Sequence, residues 1–263
     1  MNTVSCVMAT YAQCKDDRIK LFRRSFECYC RQSYRDTELV IVAAGCEDYV
    51  TEIRKCVADN CRNDVRIHAV PAGAPLGMLR GIAIDQADGD FICQWDDDDL
   101  YHPTRIERQV EAMLKADARA SYLADYLHLF QDAKKVFLCD WKCGLPGTLL
   151  AYKEGLPIFD DSLSVDEDTD LQRRLIRAGI SVAVVRGLGL LYVYTFHGGN
   201  SFSHAHHLRT ALSTARNATE VLSTVPALCC ALRDHRLEPP LSIVDNRGKI
   251  IFEWSATVDS SVE

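Results

Sequence analysis

No stretch of this chain is apolar for long enough to span a bilayer. The most apolar segment, residues 180–196, is interrupted by Arg186, Gly187 and Gly189, short of the ~20 apolar residues that a crossing helix requires. An excess of positive charge is missing as well. Thirty Lys and Arg against 37 Asp and Glu leave a net charge of −7, which argues against broad electrostatic binding of nucleic acid and leaves Arg173, Arg174 and Arg177 as a local basic group. The opening Met1-Asn2-Thr3-Val4-Ser5 has neither the charged nor the apolar part of a secretory signal. The twelve cysteines, dispersed over 263 residues, therefore read as reduced, mostly buried thiols rather than a disulfide framework. Neither Cys28/Cys30 nor Cys139/Cys143 has the spacing of a zinc ribbon. Internal repeats, low-complexity tracts and long linkers are absent too. What is present is ordinary globular composition, 48% hydrophobic and 25% charged, with enough chain for one large domain or two small ones.

The first half alternates strand-like apolar runs with helix-like periodic runs, a pattern that gives an α/β sheet with parallel strands. Strands are expected at 4–8, 38–43, 65–69 and 91–95, and helices at 19–32, 49–58 and 77–86, with another starting at Pro103 and carrying Ile106, Val110, Met113 and Leu114. The second half changes character. Residues 121–141 suggest a hairpin turning near Gln131-Asp132, 148–152 a short strand, and Leu171, Leu175 and Ala178 a helix closed by Gly179. Strands at 181–185 and 190–195 precede a helix from 203 to about 222, a second at 226–232, and a hairpin at 241–254 turning at Asn246-Arg247-Gly248. Residues 255–263 read as a frayed end.

The run Asp96-Asp97-Asp98-Asp99 directly follows the apolar strand at 91–95. In a strand-like extension Asp96 and Asp98 face one side and Asp97 and Asp99 the other. Two carboxylates ~5 Å apart repel by about 3 kcal/mol at an effective dielectric of ~20, so such a cluster needs a compensating cation. Oxygen-rich sites suit Mg²⁺ or Mn²⁺, and open α/β sheets place ligands at the carboxyl ends of their strands. The plainer reading is a solvated acidic turn ahead of the helix at Pro103.

The stretch GMLRGIAIDQADGDFICQWDDDDLYHP (77–103) resembles the donor-binding core of family 2 glycosyltransferases. VSCVMATYAQ at the start, RQSYRDTELVIV before the second strand, SVDEDTDLQRRL and FHGGNSFS resemble further segments of that family in the same order, together covering residues 1–202. The resemblance implies an α/β fold of the GT-A type, a Rossmann-like mixed sheet, as a catalytic domain over 1–202. A small helix-and-hairpin extension, 203–263, would pack on that domain or on a partner subunit. It implies Asp96, Asp98 and His197 around Mn²⁺ or Mg²⁺, donor contacts from Thr10, Tyr11, Arg80, Asp96 and Asp97, and Asp168 as the general base of an inverting sugar transfer. The implied partners are a nucleotide-diphosphate sugar, a UDP-sugar by default, and a carbohydrate or glycolipid acceptor; no nucleic acid is implied. A cytoplasmic protein, with room for association at the inner membrane face and for a homo-oligomer, is the accompanying expectation. One departure stands out: the family's Asp-Asp-Gly-Ser turn, which contacts the base, is Ala43-Ala44-Gly45-Cys46 here.

Each of these residues also has a structural reading. Ser164-Val165-Asp166-Glu167 fits a capping box, and carboxylates at 166, 168 and 170 favour a helix start through the macrodipole. His197 could simply be a strand-end histidine before the Gly198-Gly199 turn. His204 and His207 share a helical face and read as a solvated or acceptor-facing helix start. The extension is expected over the acceptor side of the site. Two rival functions remain: a nucleotidyltransferase, disfavoured because the loop after strand one, Tyr11-Ala12-Gln13-Cys14-Lys15, holds no glycine, and a catalytically silent sugar- or metal-binding module of the same fold.

Overall fold

The computed structural model describes residues 2–12, 18–60, 62–187 and 190–255. Three βα steps and a fourth strand open the chain: β1 (Val4–Ala12), α1 (Arg18–Cys30), β2 (Thr37–Gly45), α2 (Glu47–Asp59), β3 (Val65–Val70), α3 (Leu76–Asp85) and β4 (Phe91–Gln94). Here β2 and β4 both run parallel to β1, and β3 runs parallel to β2. The sequence order of strands therefore reverses at β1. The crevice between the carboxyl ends of β1 and β4 is the topological switch point at which open α/β sheets bind ligands.

Strands β1, β2 and β4 are buried on both faces, as a parallel sheet covered by helices requires, while β3 at the edge is half-buried. Val4, Cys6 and Met8 of β1 face α1 and α2, packing with Phe22, Phe26, Tyr29 and Ile53. The alternate residues Val7 and Ala9 join Val40, Val42 and Ile92 beneath Leu79 and Ala83 of α3. The period of two thus divides one strand between two cores.

Next come β5 (Leu100–Tyr101), α4 (Arg105–Lys115), β6 (Ala120–Leu123), β7 (Asp125–Phe130), β8 (Lys135–Asp140), a 3₁₀ turn at Pro146–Thr148, β9 (Leu150–Tyr152), α5 (Glu167–Arg177), β10 (Val182–Val185) and β11 (Tyr192–Phe196). The first sheet has seven strands in the order β10-β6-β9-β4-β1-β2-β3. In it β9 runs antiparallel between β4 and β6. Leu171 and Leu175 of α5 pack on Tyr122, Ala151 and Phe159.

The remaining elements are α6 (His204–Thr214), α7 (Ala218–Ser223), α8 (Val225–Asp234), β12 (Leu241–Val244) and β13 (Ile250–Trp254). The final hairpin completes a second sheet, ordered β13-β12-β8-β7-β11-β5, through parallel pairing of β12 with β8.

Three local expectations give way. The single helix over 203–222 is two, because Ala215 bridges Cys139, the Arg216 N–H donates to Leu138, and Asn217 caps α7 reciprocally with Glu220. The capping box at Ser164 does not form: α5 starts after Asp166, which sits in the left-handed region at φ 61° with no side-chain cap. Cys46 is disulfide-bonded, which corrects the reading of all twelve cysteines as reduced, while Cys6, Cys28, Cys93 and Cys139 are free and buried. No described helix is long and apolar enough to cross a membrane. The frayed end lies, from residue 256, outside the described residues.

Candidate functional site

A cleft of about 370 Å³ opens at the switch point. Its walls include Tyr11, Arg18, Arg80, Asp96 to Asp99, Gly147 and Asp168. Strand β4 ends at Gln94, and the acidic run is a turn rather than a strand extension. The expected alternation gives way to carboxylates that fan toward several elements, two of them sharing Arg18.

The backbone of Asp96 is pinned first. Its N–H donates to the Tyr101 hydroxyl at 2.6 Å, and its carbonyl accepts from Ser25 at 2.7 Å. Its carboxylate takes Arg80 Nη2 at 2.9 Å, and Arg80 Nη2 also lies 3.1 Å from Glu167 of α5. Burial pushes the Asp96 carboxyl up to about 7 against the pull of Arg80, with Asp98 and Asp168 adding to the rise. Glu167 thus ties α5 to α3 through Arg80 instead of capping its own helix.

Asp97 is 1% exposed. It is held by the Thr10 hydroxyl and by the Arg18 fork, Nε at 2.9 Å and Nη2 at 2.5 Å. Thr10 in turn bonds the Tyr49 hydroxyl at 2.5 Å, so its side chain is committed to the strand ends. Burial works against the Arg18 charge, yet Asp97 and Asp98 more than offset it and the guanidinium is held more firmly protonated than usual. Arg18 also stands 5.0 Å above the ring of Tyr11, which is 40% exposed in the cleft and reaches Ser201 at 3.4 Å. Arg18 is the functional residue that the sequence reading missed. The signal was the repulsion argument itself, since a run of four carboxylates requires cations nearby and Arg18 follows the end of β1.

Asp98 turns toward the second sheet, where its Oδ2 lies 3.2 Å from His197 Nε2 and 3.2 Å from Arg18 Nη2. Burial would raise its carboxyl, but Arg18 and His197 bring it down to about 2. The Gly199 N–H donates to His197 Nδ1 at 3.3 Å, and Asn200 accepts the His197 N–H at 2.9 Å. His197 Nε2 therefore carries the ring proton and donates it to Asp98. Asp99 accepts from the Tyr192 hydroxyl and the Thr195 N–H and so joins the turn to β11. Burial, then Asp98 and Asp96, hold its carboxyl well above the usual range.

Asp168 sits in the first turn of α5. Its Oδ1 accepts the Thr169 N–H at 2.6 Å. The segment leading into α5 is clamped on α3 by the Gly77 N–H to Leu163 carbonyl bond, 2.8 Å. A Cβ at Gly77 would meet Asp160 carbonyl oxygen at 2.0 Å, so this close approach requires glycine.

The donor chemistry suits a hard divalent cation held by two protein groups. Asp98 and His197 would be the groups to hold such an ion, which would take water and phosphate oxygens as its remaining ligands. Binding through His197 Nε2 would need the ring proton on Nδ1 instead, in exchange for the Gly199 contact. Among the described residues no three His, Cys, Asp or Glu side chains converge on one point, and Asp96 is engaged by Arg80. His206 lines the cleft, but His207 is fully buried, with Nδ1 3.0 Å from His128 Nε2. This corrects the solvated reading for His207, whose face of α6 packs on β7 and β11, while His204 is exposed as expected.

Residues 5–129 match the family model of glycosyl transferase family 2. An uncharacterized glycosyltransferase of Haemophilus influenzae is 29% identical over 97 residues, 34% of this chain and 38% of that protein. The uncharacterized glycosyltransferase YibD of Escherichia coli is 31% identical over 96 residues, 36% of this chain and 27% of that protein. The matches thus span well under half of these relatives' own lengths. Among solved structures, Staphylococcus aureus TarS 1-349 in complex with UDP-GlcNAc superposes with a TM-score of 0.61 at 14% identity, covering 89% of this chain and 80% of that one. The mannosyltransferase PcManGT of Pyrobaculum calidifontis, in complex with GDP-Man and Mn²⁺, does so with a TM-score of 0.55 at 14% identity, covering 89% and 73%. Residues 5–129 are therefore similar to glycosyl transferase family 2, and the fold is of the GT-A type.

Proposed function

We propose that the chain is a cation-dependent inverting glycosyltransferase that moves a sugar from a nucleoside diphosphate sugar to a hydroxyl of a carbohydrate or glycolipid acceptor. The observation that supports this most is the convergence on one cleft of the acidic turn at the β1/β4 switch point and Asp168 at the start of α5. Asp168 Oδ1 is occupied by the Thr169 N–H, which leaves Oδ2 to take the proton of the attacking hydroxyl. Its place in the first turn of α5 fixes its position. Asp98 and His197 would hold Mn²⁺ or Mg²⁺, which when bound neutralises charge developing on the departing diphosphate. Tyr11 borders the nucleotide, Arg80 orients Asp96, and the Arg18 to Asp97 pair holds the turn in place. Attack from the side of Asp168, opposite the diphosphate, inverts the anomeric centre.

Complexes of neighbouring folds with UDP, UDP-GlcNAc and GDP-Man make a nucleotide sugar the natural probe. With Ala43 and Ala44 continuing β2, the family's carboxylate contact to the base is absent, so the panel must include guanosine as well as uridine sugars. The loop that weighed against a nucleotidyltransferase lies, over 13–17, outside the described residues. The test is release of nucleoside diphosphate from UDP-Glc, UDP-GlcNAc and GDP-Man with Mn²⁺ or Mg²⁺, with the sugar product followed by proton NMR. Release that stops in chelator and gives the inverted anomer is the expected result. Retained configuration overturns the mechanism, pyrophosphate released when a nucleoside triphosphate and a sugar 1-phosphate are supplied instead supports the nucleotidyltransferase, and binding with no turnover supports the silent module.

A further inference from the structure

The cleft carries a cation of its own. Arg18, the first residue of α1, lines it with a side chain that is 11% exposed. Its Nε donates to Asp97 Oδ2 at 2.9 Å and its Nη2 to Asp97 Oδ1 at 2.5 Å, while the same Nη2 lies 3.2 Å from Asp98 Oδ2. Asp98 Oδ2 is also the atom that faces His197 Nε2, at 3.2 Å. The oxygen that would turn to a divalent ion is thus already taken by a guanidinium.

The contacts of Arg18 are unequal. Asp97 holds it through two hydrogen bonds in the fork geometry that suits a carboxylate, and the Tyr11 ring lies 5.0 Å from its guanidinium carbon. The ion pair with Asp98 is the longer contact. Arg18 can therefore leave Asp98 while keeping Asp97 and Tyr11. A full withdrawal into water is another matter, because Asp97 is 1% exposed and would be left as a buried, unpaired carboxylate.

Charge decides which of these contacts a metal ion can tolerate. His197 can present a bare Nε2 by moving its ring proton to Nδ1, but a guanidinium has no such route and stays charged. A divalent ion on Asp98 would meet that charge across one shared oxygen, in a site where burial leaves the repulsion poorly screened. Contact between Arg18 and Asp98 excludes the metal, whereas contact between Arg18 and Asp97 does not.

We infer that Arg18 is a built-in competitor of the metal ion: its guanidinium bridges Asp97 and Asp98, and it must release Asp98, though not Asp97, before a divalent ion takes that carboxylate. Arg18 thereby sets the affinity of the cleft for the metal alone. This rests on the cation-dependent reading above. A purely structural role for Arg18 has the opposite sign, since removing a pin loosens the metal site and removing a competitor tightens it.

The experiment uses Mn²⁺ alone, titrated against the protein and followed by the electron paramagnetic resonance signal of the free ion. Arg18→Met by itself leaves Asp97 unpaired and adds a negative charge to the cleft. The deciding variant is therefore Arg18→Met/Asp97→Asn, whose net charge equals that of the wild type. Its Kd for Mn²⁺ should be about tenfold lower than that of the wild type, and adding Asp98→Asn should remove the gain. Arg18→Gln/Asp97→Asn, which puts a neutral hydrogen-bonding pair in place of the ion pair, should behave alike and serves if the methionine variant does not fold. A folded double variant that binds Mn²⁺ no more tightly than the wild type, or a gain that survives Asp98→Asn, overturns the competitor. Absence of Mn²⁺ binding by the wild type and every variant, with UDP or GDP present as well as without, overturns instead the cation-dependent reading on which it rests.

Discussion

His197 Nε2 lies 3.2 Å from Asp98 Oδ2, although 99 residues separate them and they belong to different sheets. The turn after β4 supplies the carboxylate, and the turn after β11 supplies the imidazole. If this pair holds the cation, Asp98→Asn should abolish the Mn²⁺-dependent part of nucleotide binding while leaving the circular dichroism spectrum and thermal midpoint near those of the wild type. Titration in Mn²⁺ and in chelator measures it. Equal nucleotide affinity of variant and wild type in Mn²⁺ would remove Asp98 from the site.

Arg18 has a structural consequence that binding assays would miss. Its fork covers Asp97, which is 1% exposed, so Arg18→Met should leave a buried carboxylate unpaired and cost about 3–5 kcal/mol. Urea unfolding reads this directly. Adding Asp97→Asn to the same protein should restore part of the loss, because a neutral amide needs no counter-ion. A double variant no more stable than Arg18→Met would show that the pair contributes through packing alone.

Buried histidines set the acid response. Burial lowers His128 to about 3 and both His207 and His235 to about 4, from 6.5. His128 and His207 bond each other, while His235 Nε2 bonds the Leu190 carbonyl at 2.6 Å. Their unfolded forms take up protons near pH 6.5 and the folded forms do not. Stability is therefore fully present above that value and declines as the pH falls toward 4, by up to about 1.4 kcal/mol per pH unit for each of His128 and His235. Urea midpoints at pH 7, 6 and 5 should fall accordingly, and His235→Gln should show a shallower decline. A midpoint unchanged from pH 7 to 5 contradicts neutral burial.

Much of this architecture was legible because it rests on local periodicity. The apolar runs at 4–8, 38–43 and 91–95 and the periodic runs between them correspond to β1, β2, β4, α1, α2 and α3, each within a few residues, since both faces of a parallel sheet must be apolar. Failures arose where a long-range partner overrode a local pattern. Glu167 matched a capping box but is taken by Arg80. The periodicity of 203–222 hid a break that Cys139 and Leu138 impose from a neighbouring strand, although Asn217 and Glu220 carried the capping signal for the second helix. His207 looked solvated because its partner, His128, lies 79 residues away. At the site, the residue types were readable while their directions were not: alternation holds in a strand, and the Asp96 to Asp99 run is a turn whose carboxylates are claimed by several elements, with Arg18 shared by Asp97 and Asp98.

Asp168→Asn tests the central claim most directly. The amide keeps the side chain's size and its contact with the Thr169 N–H but cannot take a proton from an acceptor hydroxyl. With a donor and acceptor that the wild type turns over, single-turnover transfer should fall by about 10²–10⁴-fold, with donor Kd within about twofold and the urea midpoint unchanged. Transfer at near the wild-type rate per folded molecule, or a loss confined to stability, would contradict the account and return Asp168 to the role of a helix-start carboxylate.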